Sequence, residues 1–326
     1  MTKRTSNPRG KKRMAVASVC VRGIAALWHN DEGRAQQDTS DRIAWLPQLV
    51  DRILARGHAL DALVLPGGFF FLPRFIGDLP FARRKSALAK SAFSRACSRA
   101  ARSLGCPIVA GVDTTEGTHQ RVTEGADQLC VAWGETGVVG IGRKVFPTSQ
   151  ESHSLVVTAS DYGDAGRVLD LPSGRRALLC ACYDGFGVAS PERYLYVRFL
   201  RVGGKILMQA DADAESHMDA GLRAWRALCQ QVDTALIAIH GFQGKGRPSM
   251  WQRHGVAGAS AALRGGLAIG AAHFDAPLPS APDRSTLAAS CVPASHLGAG
   301  RQREAHALIP IDHEYFEDAL IRWYLA

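Results

Sequence analysis

Ala177-Leu178-Leu179-Cys180-Ala181-Cys182-Tyr183-Asp184-Gly185-Phe186 is an apolar run that ends in a cysteine and turns at once into polar and glycine residues. A short apolar run bounded by turn signals reads as a strand buried on both faces. Side-chain direction alternates along a strand, so Cys180 and Cys182 face the same side. Cys182, at the C-terminal edge, is the better-placed nucleophile, beside backbone N–H groups able to stabilise an oxyanion. Cys180 is the better core residue. Taken alone, the stretch is more simply a strand carrying a buried structural cysteine.

Working outward, strands and helices alternate. Upstream, Met14–Ile24 and Ala62–Leu65 read as strands, the second ending at the loop signal Pro66-Gly67-Gly68. Between them, His29–Ser40 is polar and turn-prone. Ile43, Leu46, Val50 and Ile53 then recur at helical spacing, interrupted by Pro47. Phe81–Leu104 reads as one long basic helix capped by Gly105, and Pro107–Val112 as a strand. Gln128–Trp133 and Val138–Lys144 flank the hairpin turn Gly134-Glu135-Thr136-Gly137, as Arg167–Leu171 and Arg176–Cys182 flank Pro172-Ser173-Gly174. Downstream, helices are expected near Glu192–Val202 and Ala220–Gln231. Strands are expected at Lys205–Gln209, Thr234–His240, Val256–Ala262 and Leu267–Phe274. The pattern predicts a layered α/β sandwich with sheets inside and helices outside. It divides into a basic tail over residues 1–13, one domain over 14–310, and a helical C-terminal segment over 311–326.

Composition narrows the function. The net charge of +9 owes much to the Lys/Arg-rich first thirteen residues, which are followed by no apolar h-region and read as a solvated tail rather than a secretory signal. No basic strand interleaved with aromatics accompanies them, so nucleic acid is a minor possibility. No run of about eighteen apolar residues could span a bilayer. Eight cysteines without a signal peptide imply reduced thiols and a cytoplasmic location. No Cys/His spacing fits a metal site, and no cofactor is implied. The eleven histidines are scattered and read as surface or singly hydrogen-bonded residues. The loop Gly244-Lys245-Gly246-Arg247 lacks the full phosphate-cradling pattern and reads as solvated.

A second element, Gly140-Ile-Gly-Arg-Lys144-Val-Phe-Pro147, carries one lysine toward a proline-broken loop. An ammonium near a thiol favours the thiolate and steadies the negative oxygen of a tetrahedral intermediate. With Leu65-Pro66-Gly67, Arg143-Lys144 and Cys182-Tyr183-Asp184 in this order, the chain resembles the nitrilase, or carbon–nitrogen hydrolase, superfamily over roughly residues 14–310. Gly258-Ala259-Ser260 looks like that family's late Gly-x-Ser. The resemblance implies an α-β-β-α sandwich, a dimer or larger homo-oligomer, and hydrolysis of a small amide, carbamoyl compound or nitrile through a thioester. Carried over by position, Cys182 attacks the substrate carbon, Lys144 steadies the intermediate, and the Tyr183 backbone N–H helps hold the oxyanion. Glu151 stands about where relatives keep a positioning glutamate, although a surface carboxylate fits as well. Phe69 either walls the pocket or belongs to the core.

One part of the pattern is missing. The family's general base is the glutamate after the first proline, and here that position is Gly67. A positioned base contributes about 10²–10⁴-fold in rate. Asp61, the nearest upstream carboxylate, would lie at the other end of its strand. Two readings are open: an active hydrolase in which Glu151, or less readily Glu192, replaces the base, and an inactive nitrilase-like binding or scaffold protein. On the first, Glu151→Gln would slow turnover with little loss of stability; on the second, where loss of the base is the whole story, Gly67→Glu would raise activity.

Overall fold

The structure is a computed structural model that describes residues 13–29, 31–119, 122–241, 250–274, 287–291 and 304–326. The strands of its main sheet are β1 (Ala15–Arg22), β2 (Ala62–Val64), β3 (Phe70–Leu72), β4 (Ile108–Thr114), β5 (Gln128–Gly134), β6 (Gly137–Arg143), β7 (Val168–Asp170), β8 (Arg176–Ala181), β9 (Thr234–Ile239), β10 (Leu267–Phe274), β11 (Ala288–Cys291), β12 (Ala305–Ala307), β13 (Asp312–Phe316) and β14 (Ala319–Leu325). They form one fourteen-stranded sheet in two layers: β13-β14-β1-β2-β4-β5-β6, with β3 extending along β4, and β7-β8-β9-β10-β11-β12. The layers join where β1 meets β10 in parallel at Val21 and His273. The helices are α1 (Glu32–Ala55), α2 (Phe81–Ala89), α3 (Ala92–Leu104), α4 (Asp184–Ala189), α5 (Ala214–Cys229) and α6 (Ala257–Ala262).

Period-two alternation sorts the strand residues into three apolar interfaces. Val64, Val109 and Ala132 of the first layer meet Leu179, Ala181 and Leu236 of the second between the sheets. On the outer face of the first layer, Leu63, Ile108 and Val131 pack under Leu49 and Ile53 of α1 and Phe93 and Cys97 of α3. On the outer face of the second, Leu178, Cys180 and Ile237 pack under Phe186 of α4 and Trp225 and Leu228 of α5. Helix, sheet, sheet and helix therefore stack as four layers of one domain, the α-β-β-α sandwich expected from the sequence.

Several local expectations give way. Residues 311–326, expected to be helical, form the β13–β14 hairpin. Glu317 turns it with a left-handed φ of 50°, and β14 pairs antiparallel with β1 from Ala15↔Leu325 to Val21↔Ala319. The alternation in Asp312-His313-Glu314-Tyr315-Phe316 is the local signal for it. The segment is thus part of the main sheet rather than an appendage. Near 192–202 there is no helix. Phe199–Val202 is a strand that turns through Gly203 and Gly204, both at positive φ, to pair with Lys205–Met208. Val256–Ala262, expected as a strand, is helical: a π-helical stretch, Trp251–Val256, runs into α6. Its small residues permit close packing, since a Cβ on Gly258 would lie 2.7 Å from the Ala189 methyl of α4. Phe81–Leu104 divides into α2 and α3 at Ser91, whose side chain caps α3 by accepting from Ser94 N–H. Conversely, α1 begins inside the segment expected to be turn-prone, capped by Asp31, and passes through exposed Pro47 unbroken. The Gly244–Arg247 loop and the first twelve residues lie outside the described residues.

The β13–β14 hairpin offers a test. Removing residues 312–326 strips β1 of a partner along its length and takes Ile321 and Trp323 from the first-layer core. The truncated chain is expected to lose its cooperative thermal transition. A transition within a few degrees of the full-length one would contradict an integral role for the hairpin.

Candidate active site

Four parallel strands, β2, β4, β8 and β9, end on the same side of the sandwich, where open α/β sheets place their ligands. Gly67 follows β2, Asp113 lies near the end of β4, Cys182 follows β8 and His240 follows β9. Cys182 has a φ of +47°, left-handed backbone that a non-glycine residue adopts only where its surroundings impose it. Its N–H donates to Ala238 C=O at 2.8 Å, and α4 begins two residues later. Cys182 therefore stands on a sharp strand-to-helix elbow.

Asp184 holds that elbow. Its Oδ1 accepts from the N–H groups of Val145 (2.9 Å) and Phe146 (3.1 Å), directly after Lys144. Its Oδ2 accepts from Arg167 Nη1 at 3.1 Å and from Ala181 N–H at 3.3 Å. Arg167 is itself fully buried, lies over the Trp225 ring and donates to Arg143 C=O. One buried carboxylate thus links the cysteine turn to the lysine turn.

Lys144 is buried, and its Nζ donates to Glu151 Oε1 and Oε2 and to Gln128 Oε1, each at 2.7 Å. Glu151 also accepts from Gln128 Nε2 at 2.6 Å and Thr148 N–H at 2.7 Å. Burial would raise the Glu151 pKa, but Lys144 and these donors outweigh it and bring it down to about 2. Burial would likewise discharge Lys144, yet Glu151 and the Cys182 thiol keep it charged.

The third group is His240, buried, with Nε2 bonded to the fully buried Asp113 at 2.7 Å. Asp113 Oδ2 accepts from Leu27 N–H at 2.9 Å. Nδ1 has no partner of strict hydrogen-bond geometry, but ring and thiol are near enough that each favours the charged form of the other. Burial would lower the His240 pKa; Asp113 and Cys182 instead raise it to about 10. Burial would push the Cys182 thiol up, but Lys144 and His240 hold it below its ordinary value. At Cys130 and Cys229 burial outweighs the nearby Arg167, and both are pushed to about 12. All eight cysteines are free and buried.

The remaining residues singled out from sequence fall as follows. The Tyr183 ring is half-buried and stacks near Phe186, 4.5 Å between centroids, in a cluster with Tyr194 and Trp251. Phe69 is fully buried, packed on Phe70 and lying under the Arg42 guanidinium. Glu192 is exposed and paired with Arg226, and Asp61, at the far end of β2, accepts from Ala15 and Ser173 N–H. Gly67 is glycine for want of space, not for its φ. A Cβ there would lie 2.6 Å from His240 Nδ1, 2.7 Å from Ala238 O and 2.8 Å from His240 N. A glutamate at this position would meet the same backbone and ring atoms. His240 and Asp113 were missed in the sequence; the available signal was that each ends a parallel-type strand.

No protein-family model and no curated protein matches the chain. Solved structures do. XC1258 from Xanthomonas campestris, a CN-hydrolase superfamily protein with an arsenic adduct in its active site, is 11% identical over 96% of this chain and 91% of that one, with a TM-score of 0.45. A mutant of the amidase from Nesterenkonia sp. AN1, carrying the acetamide moiety of fluoroacetamide on its active-site cysteine, is 16% identical over 97% and 91%, with a TM-score of 0.44. A glutamine-dependent NAD(+) synthetase from Cytophaga hutchinsonii is 10% identical over 96% of this chain and 43% of that chain, with a TM-score of 0.43. Among the described residues, no helix is long and apolar enough to cross a membrane and no group of three or more His, Cys, Asp or Glu is placed to hold a metal ion.

Two outcomes follow from this geometry. Glu151→Gln leaves the buried Lys144 ammonium without its counter-charge, so it is expected to destabilise the fold at pH 7 by about 2 kcal/mol, against the small loss expected from sequence. Because the folded pKa is depressed, wild type holds its advantage above pH 4.5 and loses it as pH falls toward about 2. Urea midpoints of both proteins across that range check the sign. Separately, Gly67→Ala drives a methyl into backbone at Ala238 and His240 and is expected to lower the melting temperature by several degrees or abolish folding.

Proposed function

We propose that the protein is a cysteine-dependent hydrolase that cleaves non-peptide C–N bonds of a small amide, carbamoyl compound or nitrile through a thioester on Cys182. The observation that carries this reading is the elbow itself. A cysteine in left-handed backbone stands at a strand end, directly before a helix, with the buried Lys144, ion-paired to Glu151, near it. Such a turn presents a side chain to a substrate while the following backbone N–H, here that of Tyr183, is available to a developing oxyanion. Packing alone gives no reason to hold a lysine inside the protein with its charge kept, since burying an ammonium is costly.

In this reading the Cys182 sulfur attacks the substrate carbon and the displaced electron pair moves to the carbonyl oxygen. A lysine ammonium has three donors, and in the resting site they are directed at Glu151 and Gln128. Lys144 therefore acts as a fixed positive charge whose position is set before substrate arrives. Preorganised charge of this kind needs no reorientation during the reaction. Glu151 fits the role of positioning residue: both its oxygens are committed to Lys144, and it stays ionised far below neutral pH. The same reading carries a homodimer and a cytoplasmic location, which sedimentation and cell fractionation would check.

Incubation with activated esters and simple amides, followed by intact-mass measurement, tests the proposal. Wild type is expected to gain an acyl adduct that clears with time, and Cys182→Ala to gain none. Lys144→Met is expected to slow adduct formation by about 10²–10³-fold, the loss seen when one oxyanion donor is removed. An adduct on Cys182→Ala, or none on wild type with any probe, would overturn the assignment.

A further inference from the structure

Acyl transfer at Cys182 requires a group that takes a proton at the thiol and returns one to the leaving nitrogen. Lys144, a cation tied to Glu151, has no lone pair for it, and Glu151 faces Lys144 rather than the thiol. From the position of the imidazole between a buried carboxylate and the thiol, we infer that His240 is the catalytic acid–base of this site and that Asp113 positions it. This rests on the acyl-transfer reading of Cys182.

Three independent contacts place the ring. Asp113 Oδ1 holds Nε2 at 2.7 Å, and Asp113 is in turn fixed by Leu27 N–H. The backbone leading into it is locked as well: Cys182 N–H donates to Ala238 C=O at 2.8 Å, and Gly67 N–H to Ile239 C=O at 3.0 Å. Finally, the imidazole fills the volume a side chain at residue 67 would need. With Nε2 committed to Asp113, Nδ1 is the nitrogen able to exchange a proton with the thiol. A Cys–His pair oriented by a third residue is a recurring solution for activating sulfur. Here its members come from three strand ends.

The proton account closes. Neutral His240 accepts the Cys182 proton on Nδ1, leaving a thiolate. Sulfur attacks the carbonyl carbon, a C–S bond forms and the π pair moves to oxygen. As that pair returns, the C–N bond breaks and Nδ1–H delivers its proton to the departing nitrogen, releasing the amine. His240 then takes a proton from water while the water oxygen attacks the thioester. Collapse breaks C–S, releases the carboxylic acid and restores the thiolate–imidazolium pair. Groups facing His240 are Asp113, Cys182 and His273, with Lys144 and Glu151 beyond the thiol. Burial with Arg42 and His240 nearby keeps His273 neutral.

Two readouts on folded His240→Gln and Asp113→Asn, verified by circular dichroism, test the dyad. The first needs no substrate: the rate of Cys182 alkylation by iodoacetamide against pH, located by peptide mass mapping. Wild type is expected to react almost uniformly between pH 6 and 8.5, and His240→Gln about tenfold more slowly at pH 6, with the rate rising as pH increases. The second is clearance of the acyl adduct, expected to slow at least about a hundredfold in His240→Gln. Asp113→Asn, which keeps the shape, is expected to move the alkaline limb of adduct formation below its position near pH 10. An unchanged alkylation profile in both variants overturns the proposal, as does wild-type clearance in His240→Gln. If no protein forms an acyl adduct, the hydrolase reading fails while the alkylation profile still decides whether His240 governs the thiol.

Discussion

The Asp184 carboxylate is the constraint on which the site depends. Buried without access to water, it accepts from two N–H groups after Lys144, from Ala181 N–H before Cys182 and from the Arg167 guanidinium. A buried carboxylate is tolerated only when its oxygens are paired, so the requirement to pair it pulls β6, β8 and the 3-10 turn Ala165–Arg167 that precedes β7 into one arrangement. Arg167 then reaches on to Arg143 C=O, and Arg143 pairs with Asp127 and Asp161. The left-handed backbone at Cys182 is sustained by this network, because the residues on both sides of the cysteine are held from outside.

Charge inside the site is arranged in two pairs around one thiol. Lys144 with Glu151 forms a unit whose sign is settled by its own partner, and His240 with Asp113 forms another. Cys182 lies between them, whereas burial and Asp184 push Cys180, two residues earlier, far up despite Arg167 nearby. The two cysteines therefore differ in the company each keeps: Lys144 and His240 beside Cys182, Asp184 and Arg167 beside Cys180. Glycine at 67 completes the arrangement by leaving room for the imidazole.

Much of this could be read in the sequence because it is local. The apolar run ending at Cys182, the hairpin through Gly134–Gly137, the strands of β9 and β10 and the α3 cap at Gly105 all follow from period and turn residues. Where local signals were ambiguous, tertiary pairing decided. The C-terminal hairpin is a strand pair because β1 offers an edge. The Ala/Gly run after Trp251 is helical because it must pack closely on α4. Lys144 and Cys182 were legible for a similar reason, each standing at a strand end, the first before a proline-broken loop and the second before a polar, glycine-containing turn.

The sequence by itself determined the layered α/β class, the reactive cysteine candidate and the absence of a carboxylate at residue 67, since each is a property of residue type and short-range order. Only the tertiary structure decided what stands in that carboxylate's place. Asp113 and His240 are more than a hundred residues apart, and nothing in either local stretch says that β4 and β9 end against each other. Sheet packing brings their side chains within 2.7 Å, and the same packing leaves residue 67 no room for anything but a hydrogen. Proximity of strand ends in different layers is a consequence of the folded sheet as a whole, which no short window of sequence contains.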